Sequence, residues 1–548
     1  MAETRPRLFN IPAGTPFLPT LADAILDGRL VALPERSDPL ALADLTILLP
    51  TRRAVRAMRE VLVDRLGGGA AILPTIRPIG DVDEEDHLLS PAAETPAERL
   101  ILPAAISPLA RRLALTRLTL AWGKAVRREM LELSPGEPLH IPASAADATR
   151  LAADLARLMD DVETAGIAFE AVQRLAPDDH ARYFQVTLDF LKIAFKAWPA
   201  MRGEAGRADP ARRRDILIRA AAARLAAGPR RGPVVAAGST GSIPATAVLL
   251  KTIATLGEGR GAVVLPGLDQ DLDEAGWAAI GTSASPGGAY GHPQYGLKEL
   301  LAGIGVGRAD VVPLASPAPP LAARARLLSE ALRPAETTEH WAGFRGTGPD
   351  ERTIEAALAG VSLAVARNEQ EEAVAIAIAA REAIEERPAT VAIVTPDRTL
   401  ARRIAAELRR WNIHVDDSAG ARLDLLPAGV FARLLVEAAL AEGDPVALLA
   451  LLKHPHAAFG MDRFECRRAA RFLELALFRG RRVPGGAARL PEALARVRGE
   501  TEAPEARHTP LARRRLNKGD WALAERLADA LAAVLGPVET ALHGGERS

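Results

Sequence analysis

The chain has one cysteine, Cys466, among 548 residues. Intrachain disulfides are therefore excluded, as is a four-cysteine zinc or iron–sulfur site built within this chain. The ten histidines are scattered and show no H-E-x-x-H spacing, and there is no C-x-x-C pair, so neither metal motif is present. An excess of one charge is also missing, with 69 Lys and Arg against 69 Asp and Glu. A nucleic-acid role would need local basic clusters, because net charge supplies none. Aromatic residues make up only 4%, so no base-stacking platform stands out. Trp198, Trp277, Trp341 and Trp411 read as core anchors. No stretch approaches about 18 uninterrupted apolar residues, and no apolar signal core follows the first residues. A cytoplasmic, reducing location without a membrane partner is the expectation.

Catalytic signatures are absent too. A phosphate loop needs G-x-x-x-x-G-K-[ST], where the lysine reaches the β/γ-phosphates and the hydroxyl holds magnesium. The turn after the first strand, Asn10 to Pro16, contains Gly14-Thr15 but no lysine. Gly123-Lys124 continues into Ala125-Val126. No apolar strand ends in an Asp-Glu pair, and no G-x-S-x-G or strand-borne Asp…Glu-x-Lys nuclease pattern occurs. Gly14 and Thr15 therefore mark at most a degenerate nucleotide site. Two readings stand: a nucleotide-binding lobe that lost its chemistry, or an α/β lobe that never bound nucleotide.

What is present begins with Leu45 to Leu62. Thr46 to Leu49 reads as a buried strand that stops at Pro50, which cannot donate to a ladder. Thr51 can cap the next helix. Arg52, Arg53, Arg56 and Arg59 cluster on its first two turns. Arginines beside free backbone N–H groups at a helix N-terminus suit phosphate. Alone, this segment also fits an ordinary solvated basic helix start. The pattern recurs at Val391 to Ile404, where a strand ends at Thr395-Pro396, Asp397 can cap, and Arg398, Arg402 and Arg403 follow. The recurrence suggests two related α/β lobes, each presenting a basic turn at one edge of its sheet. A third turn, Ala236 to Pro244, follows a buried strand. Its Gly238, Ser239, Thr240, Gly241 and Ser242 can hold a phosphate or form a helix cap with flexible glycines. The acids Asp269, Asp271, Asp273 and Glu274, and the turn Asp416-Asp417-Ser418, read as solvated or capping groups rather than a metal site.

At this length two to four domains are expected. Residues 1–94 read as β-α-β-α-β, including an extended segment at Ile72 to Ile79 and an acidic loop at Asp81 to Asp86. Residues 95–228 read as a helical insertion, with apolar spacing of three and four at 109–133, 145–165, 181–197 and 211–227. Strands return at 233–238 and 261–266, so 229–333 completes the first lobe. The stretch 334–352 reads as a linker. Residues 353–425 read as a second α/β lobe, with strands at Val361 to Ala366, Val391 to Val394 and Ile413 to Val415. Residues 426–548 read as a second helical insertion.

Several stretches, taken in order, resemble the AddB family in its alphaproteobacterial form. They are Leu48 to Ala54, Arg77 to Glu84, Val235 to Pro244, Gly261 to Asp269 and Trp411 to Gly420, with His292 to Lys298 and Leu452 to Pro455 in support. The likeness runs from about Phe9 to about Gly460. It implies a subunit of a heterodimeric helicase–nuclease that processes double-stranded DNA ends for recombinational repair, beside an AddA-like motor. It also implies two RecA-like lobes of superfamily 1 type with large helical insertions, 1A with 1B and 2A with 2B. Thr51, Arg52 and Arg53 would then grip single-strand phosphates. Gly238 to Thr240 would lie near the loop after the central strand, and Asp397-Arg398 at the matching turn of the second lobe. Members of the family usually continue into a nuclease domain holding an iron–sulfur cluster on four cysteines. With one cysteine and an end at Ser548, the resemblance implies that this chain would correspond to the N-terminal half of such a subunit. The expectation is a DNA-binding, ATPase-inactive scaffold with no cofactor of its own; the alternative is a protein–protein scaffold without DNA contact.

Overall fold

The computed structural model describes residues 5–34, 38, 40–67, 72–79, 103–125, 142, 144–168, 171, 190–204, 206–227, 232–281, 291–386, 389–480, 482–503 and 509–543. The acidic run Asp81 to Asp86 lies outside these residues, as do parts of the expected helices 109–133 and 181–197. The chain divides into two compact units, Met1–Ser362 and Leu363–Ser548.

The first unit runs β1 (Leu8–Ile11), α1 (Phe17–Leu26), β2 (Thr46–Leu49), α2 (Arg52–Arg65) and β3 (Thr75–Pro78). A helical block follows: α3 (Pro108–Ala125), α4 (Ala145–Ala165), α5 (Trp198–Glu204) and α6 (Pro210–Ala227). The strands then resume with β4 (Val234–Ala237), α7 (Pro244–Ala254), β5 (Gly261–Pro266), α8 (Glu274–Ala279), α9 (Tyr295–Ile304) and β6 (Val312–Pro313). Helices α10 (Pro319–Ala331), α11 (Trp341–Thr347) and α12 (Glu351–Leu358) complete it.

The six strands form one parallel sheet in the order β3-β2-β4-β5-β1-β6. The helical block is inserted between β3 and β4, which belong to the same sheet. Both edge strands end in proline, Pro78 and Pro313, where no inner partner needs the missing N–H. A parallel sheet is buried on both faces, so its strands read as near-continuous apolar runs. Along β4 and β5, Val235, Ala237, Ala262 and Val264 point to one core with α1 and α2. Val234, Ala236, Val263 and Leu265 point to the other, with α7 and α9.

The helical block has its own core around Leu115, Ala152, Leu155, Leu191 and Trp198. A buried ion network ties it together. Asp209 accepts hydrogen bonds from Trp198 Nε1 at 3.0 Å and Arg202 Nη1 at 2.8 Å. Arg111 Nε lies 2.9 Å from the same carboxylate, and Arg111 Nη1 reaches both oxygens of Asp160 at 2.9 Å.

Two expectations are corrected. Residues 334–352 are no linker: a 3₁₀ turn at Ala335–His340 and α11 pack on the first unit, where Trp341 Nε1 donates to the Glu330 carbonyl at 3.0 Å. In α12, the carbonyl of Ala357 accepts from Arg324 Nε at 2.6 Å, so residues 353–358 also belong to the first unit. The second unit, in turn, contains no strand among its described residues. It runs α13 (Glu369–Glu386), α14 (Arg398–Arg409), α15 (Pro427–Leu440), α16 (Pro445–Leu452), α17 (Arg463–Leu473), α18 (Leu490–Glu502), α19 (Leu511–Arg514) and α20 (Lys518–His543). The expected strand residues Leu363, Val365 and Val394 are 91%, 87% and 93% exposed. Their apolar alternation is present, but a strand requires a ladder partner and a covered face. Ile393 and Ile413 alone of these segments pack on α13 and α14. The unit's main core lies further on, among Leu448, Leu473, Leu494, Trp521, Leu527 and Leu531.

Asp209→Ala should destabilise the first unit by about 3 kcal/mol or more, because it leaves buried guanidinium groups uncompensated. Urea unfolding followed by tryptophan fluorescence measures this, and Asp209→Asn should cost less.

Candidate nucleic-acid interface at the carboxyl edge of the sheet

In an open parallel sheet, ligands bind outside the carboxyl ends of two neighbouring strands whose connections leave in opposite directions. Here those strands are β2 and β4. Helix α2 carries the chain from β2 outward to β3 on one face. Helix α7 carries it from β4 the other way to β5, on the opposite face. The strands pair directly, Thr46 to Val234 through Leu48 to Ala236. The turns Pro50–Arg53 and Gly238–Gly241 therefore emerge side by side.

The first turn is built as expected. Thr51 is the extended N-cap of α2, and its side chain accepts from Ala54 N at 3.1 Å. Val55, Met58 and Leu62 bury one face of α2. That leaves Thr51, Arg52, Arg53 and Arg56 exposed. The helix start thus carries several exposed arginine side chains, with no acid in its first turn.

In the second turn, Gly238 and Gly241 adopt φ of 80° and 63°, a region that disfavours other residues. A Cβ on Gly238 would approach Pro50 and Phe17 at 3.3 and 3.4 Å, and one on Gly241 would come within 2.7 Å of Leu300. The glycines are therefore needed for packing as well as conformation. Ser239 Oγ accepts from Gly241 N at 3.2 Å. Thr240 is half-buried against Gly296 of α9. The helix-cap reading of this turn is not realised, since Ile243 is the N-cap of α7 and makes no side-chain bond there.

The Gly14-Thr15 turn lies close to α10 and is closed by its own bonds. A Cβ on Gly14 would lie 3.0 Å from Leu321 Cβ and 3.6 Å from Pro317 Cβ. The Thr15 hydroxyl and its backbone N–H both donate to the Pro12 carbonyl, at 2.8 and 3.3 Å.

Asp397 and Arg398 lie in the second unit. Asp397 caps α14, accepting from Thr399 N at 2.6 Å. Arg398 forms a two-pronged ion pair with Asp417, 2.5 and 3.1 Å, and donates to the Gly420 carbonyl. This pairing raises the guanidinium's affinity for its proton further. Arg398 therefore clamps the Asp416–Gly420 turn, a role its position in the sequence did not indicate.

The acids after β5 form a structural network. Asp269 accepts from Asp271 N, Leu272 N and Ser329 Oγ. Asp273 caps α8 through Gly276 N and pairs with Arg333 at 2.9 Å and His340 at 3.0 Å. Arg333 holds the Asp273 carboxyl well below the usual carboxylate range, whereas burial pushes Asp271 up. Among the described residues no acidic, cysteine or histidine group fit for a metal occurs. A cavity of about 220 Å³ in the helical block is lined by Arg111, Asp160 and Asp209, whose charges already pair with one another.

Sequence reasoning missed the residues that hold this edge together. Asn10 is buried in β1, accepts from Leu268 N at 2.9 Å and donates to the Leu268 carbonyl. A lone amide in an otherwise apolar strand was the available signal. Lys298 donates to the carbonyls of Trp277, Ala278 and Ile280 at the end of α8, and burial lowers its pKa. His292 Nδ1 accepts from Gln294 N at 3.1 Å, so its Nε2–H donates to the Leu332 carbonyl at 3.0 Å. The bond from Gln294 N requires the neutral imidazole; burial lowers the pKa, while the bond to the Leu332 carbonyl opposes that shift.

A depressed histidine pKa gives stability that is present above about pH 6.5, the unfolded value, and is lost as pH falls below it through the lower folded value. The first unit should therefore melt lower at pH 5 than at pH 7.5. His292→Asn should narrow that difference, as differential scanning calorimetry across the range would show.

No helix among the described residues is long and apolar enough to cross a membrane. When the sequence is compared with protein-family models and with curated proteins, no family model matches and no curated protein is similar.

Proposed function

We propose that this chain is an AddB-like subunit of a helicase–nuclease that processes double-stranded DNA ends for recombinational repair. In this reading it guides a single strand while an AddA-like partner hydrolyses ATP. The observation that carries the reading is the switch-point crevice of the first unit. There the capped, arginine-rich start of α2 lies beside a turn of glycines and hydroxyls at the ends of two paired strands. Phosphates can accept from the first backbone N–H groups of α2 and from Arg52, Arg53 and Arg56, with Gly238 to Thr240 lining the other side. These contacts would fix the position and direction of a strand without reading its bases. The first unit would correspond to a RecA-like lobe with its helical insertion. Helices α13 and α14 with the Thr395–Arg398 turn would correspond to part of a second.

The Gly14-Thr15 turn has no lysine to reach a γ-phosphate, which supports a lobe that does not use nucleotide. The family's iron–sulfur cluster does not fit this chain, because one buried cysteine cannot supply four thiolates. No step is assigned to it.

The purified chain should show no ATP hydrolysis with or without DNA. DNA-stimulated phosphate release above a buffer blank would overturn the inactive-lobe reading.

Arg52→Ala with Arg53→Ala should weaken binding to single-stranded oligonucleotides of every sequence alike. The slope of log affinity against log salt should fall by roughly one to two, at about 0.7 per lost contact. Fluorescence anisotropy from low to moderate salt measures this. Unchanged affinity in a double mutant that melts like wild type would favour the protein–protein scaffold.

A further inference from the structure

We infer that helix α17 carries a second single-stranded nucleic-acid surface, with Phe464 as a base-stacking side chain on a basic face. The helix buries Cys466, Ala469, Ala470 and Leu473 in the core of the second unit. Its opposite face carries Phe464, Arg467, Arg468 and Arg471, at the i, i+3, i+4, i+7 spacing of a single helix face, and all four are exposed. Phe464 is 78% exposed. One exposed apolar residue is ordinary on a protein surface. An aromatic ring set among arginines is a different case, because that pairing is what a flexible strand of bases and phosphates requires.

The charges are available for a partner. Arg463, Arg468 and Arg471 form no ion pair with any described residue. Arg467 donates only to the Lys453 carbonyl, at 3.4 Å, while the Lys453 ammonium lies 3.9 Å from Glu474. The acids of the helix start are already engaged. Asp462 accepts from Phe464 N and Glu465 N as the cap, and Glu465 pairs with Arg526 at 2.8 Å. In a chain of zero net charge, this is a local cationic face with an open ring, complementary to a polyanion with accessible bases. A duplex hides its bases, so single strands are the occupant. The inference rests on α17 alone and does not require the crevice beside β2 and β4.

Two full-length variants test it, each checked for a wild-type melting profile: Phe464→Ala, and Arg467→Ala with Arg468→Ala and Arg471→Ala. The probes are a labelled oligothymidylate and a labelled abasic oligomer of equal length. The triple arginine variant should lower affinity for both probes and reduce the salt slope by roughly two, at about 0.7 per contact. Phe464→Ala should weaken oligothymidylate binding by roughly five- to a hundredfold and leave the abasic oligomer unchanged, because stacking needs a base. Phe464→Leu, which keeps apolar bulk without the ring face, should behave like Phe464→Ala. All these losses should persist in the Arg52→Ala, Arg53→Ala background, which separates this surface from the crevice. Equal effects of Phe464→Ala on both probes would overturn the stacking role and mark a general acidic-partner surface. Unchanged affinity in the folded triple variant would overturn the site altogether.

Discussion

All six strands of the first unit run in one direction, and the rest of its architecture follows from that constraint. Parallel strands cannot be joined by tight hairpins, so each connection must cross a face, and crossovers are right-handed. Connections that leave β2 and β4 in opposite directions must then lie on opposite faces. Every turn leaving a strand is delivered to the same edge, and the helices that follow β2 and β4 diverge from one another. The basic turn after β2 and the glycine turn after β4 owe their proximity to this geometry. Their separation in sequence, bridged by the whole helical block, has no bearing on it.

The edge is held by interactions among groups that sequence inspection would assign to loops. Asn10, Asp269, Asp273, Gln294, Lys298 and Arg333 satisfy one another and the carbonyls of short helices. Asp273 shows the electrostatic logic. It accepts from Gly276 N, Arg333 and His340, which stabilise its charged form. A carboxylate whose pKa is depressed contributes stability above the ordinary aspartate value and loses it as pH falls below about 4. The same face of the lobe thus contains an aspartate that stabilises it while charged and a histidine, His292, that does so while neutral.

The first unit was largely legible in the sequence because short apolar runs ending in proline or glycine, followed by capped amphipathic segments, carry a local signal. Thr46 to Leu49, Pro50 and Thr51 form the strand, stop and cap that their chemistry dictates. The second unit was less legible. Val391 to Val394 has the composition of a strand, yet composition cannot supply the neighbour that makes one. Arg398 looked like a phosphate ligand from its place at a helix start, but its partner Asp417 lies nineteen positions away. Such pairings depend on loop geometry that no local pattern encodes. The approach of Leu321 to the Gly14 turn was hidden for the same reason, since a missing lysine is visible in sequence and a contact with a distant helix is not. The exposed ring of Phe464 was invisible until burial of Cys466 and Leu473 fixed which side of α17 faces water.

The two prolines at the ends of the outer strands have a consequence for how this protein tolerates crowding. An open sheet offers unpaired amides along its margins, and neighbouring molecules can zip onto them. Pro78 removes one such amide from β3, and Pro313 removes one from the two-residue β6. Both margins are thereby poor templates for a further strand. High local concentration, such as many copies gathered along one polymer, should then favour contacts through side chains over irreversible strand-to-strand association.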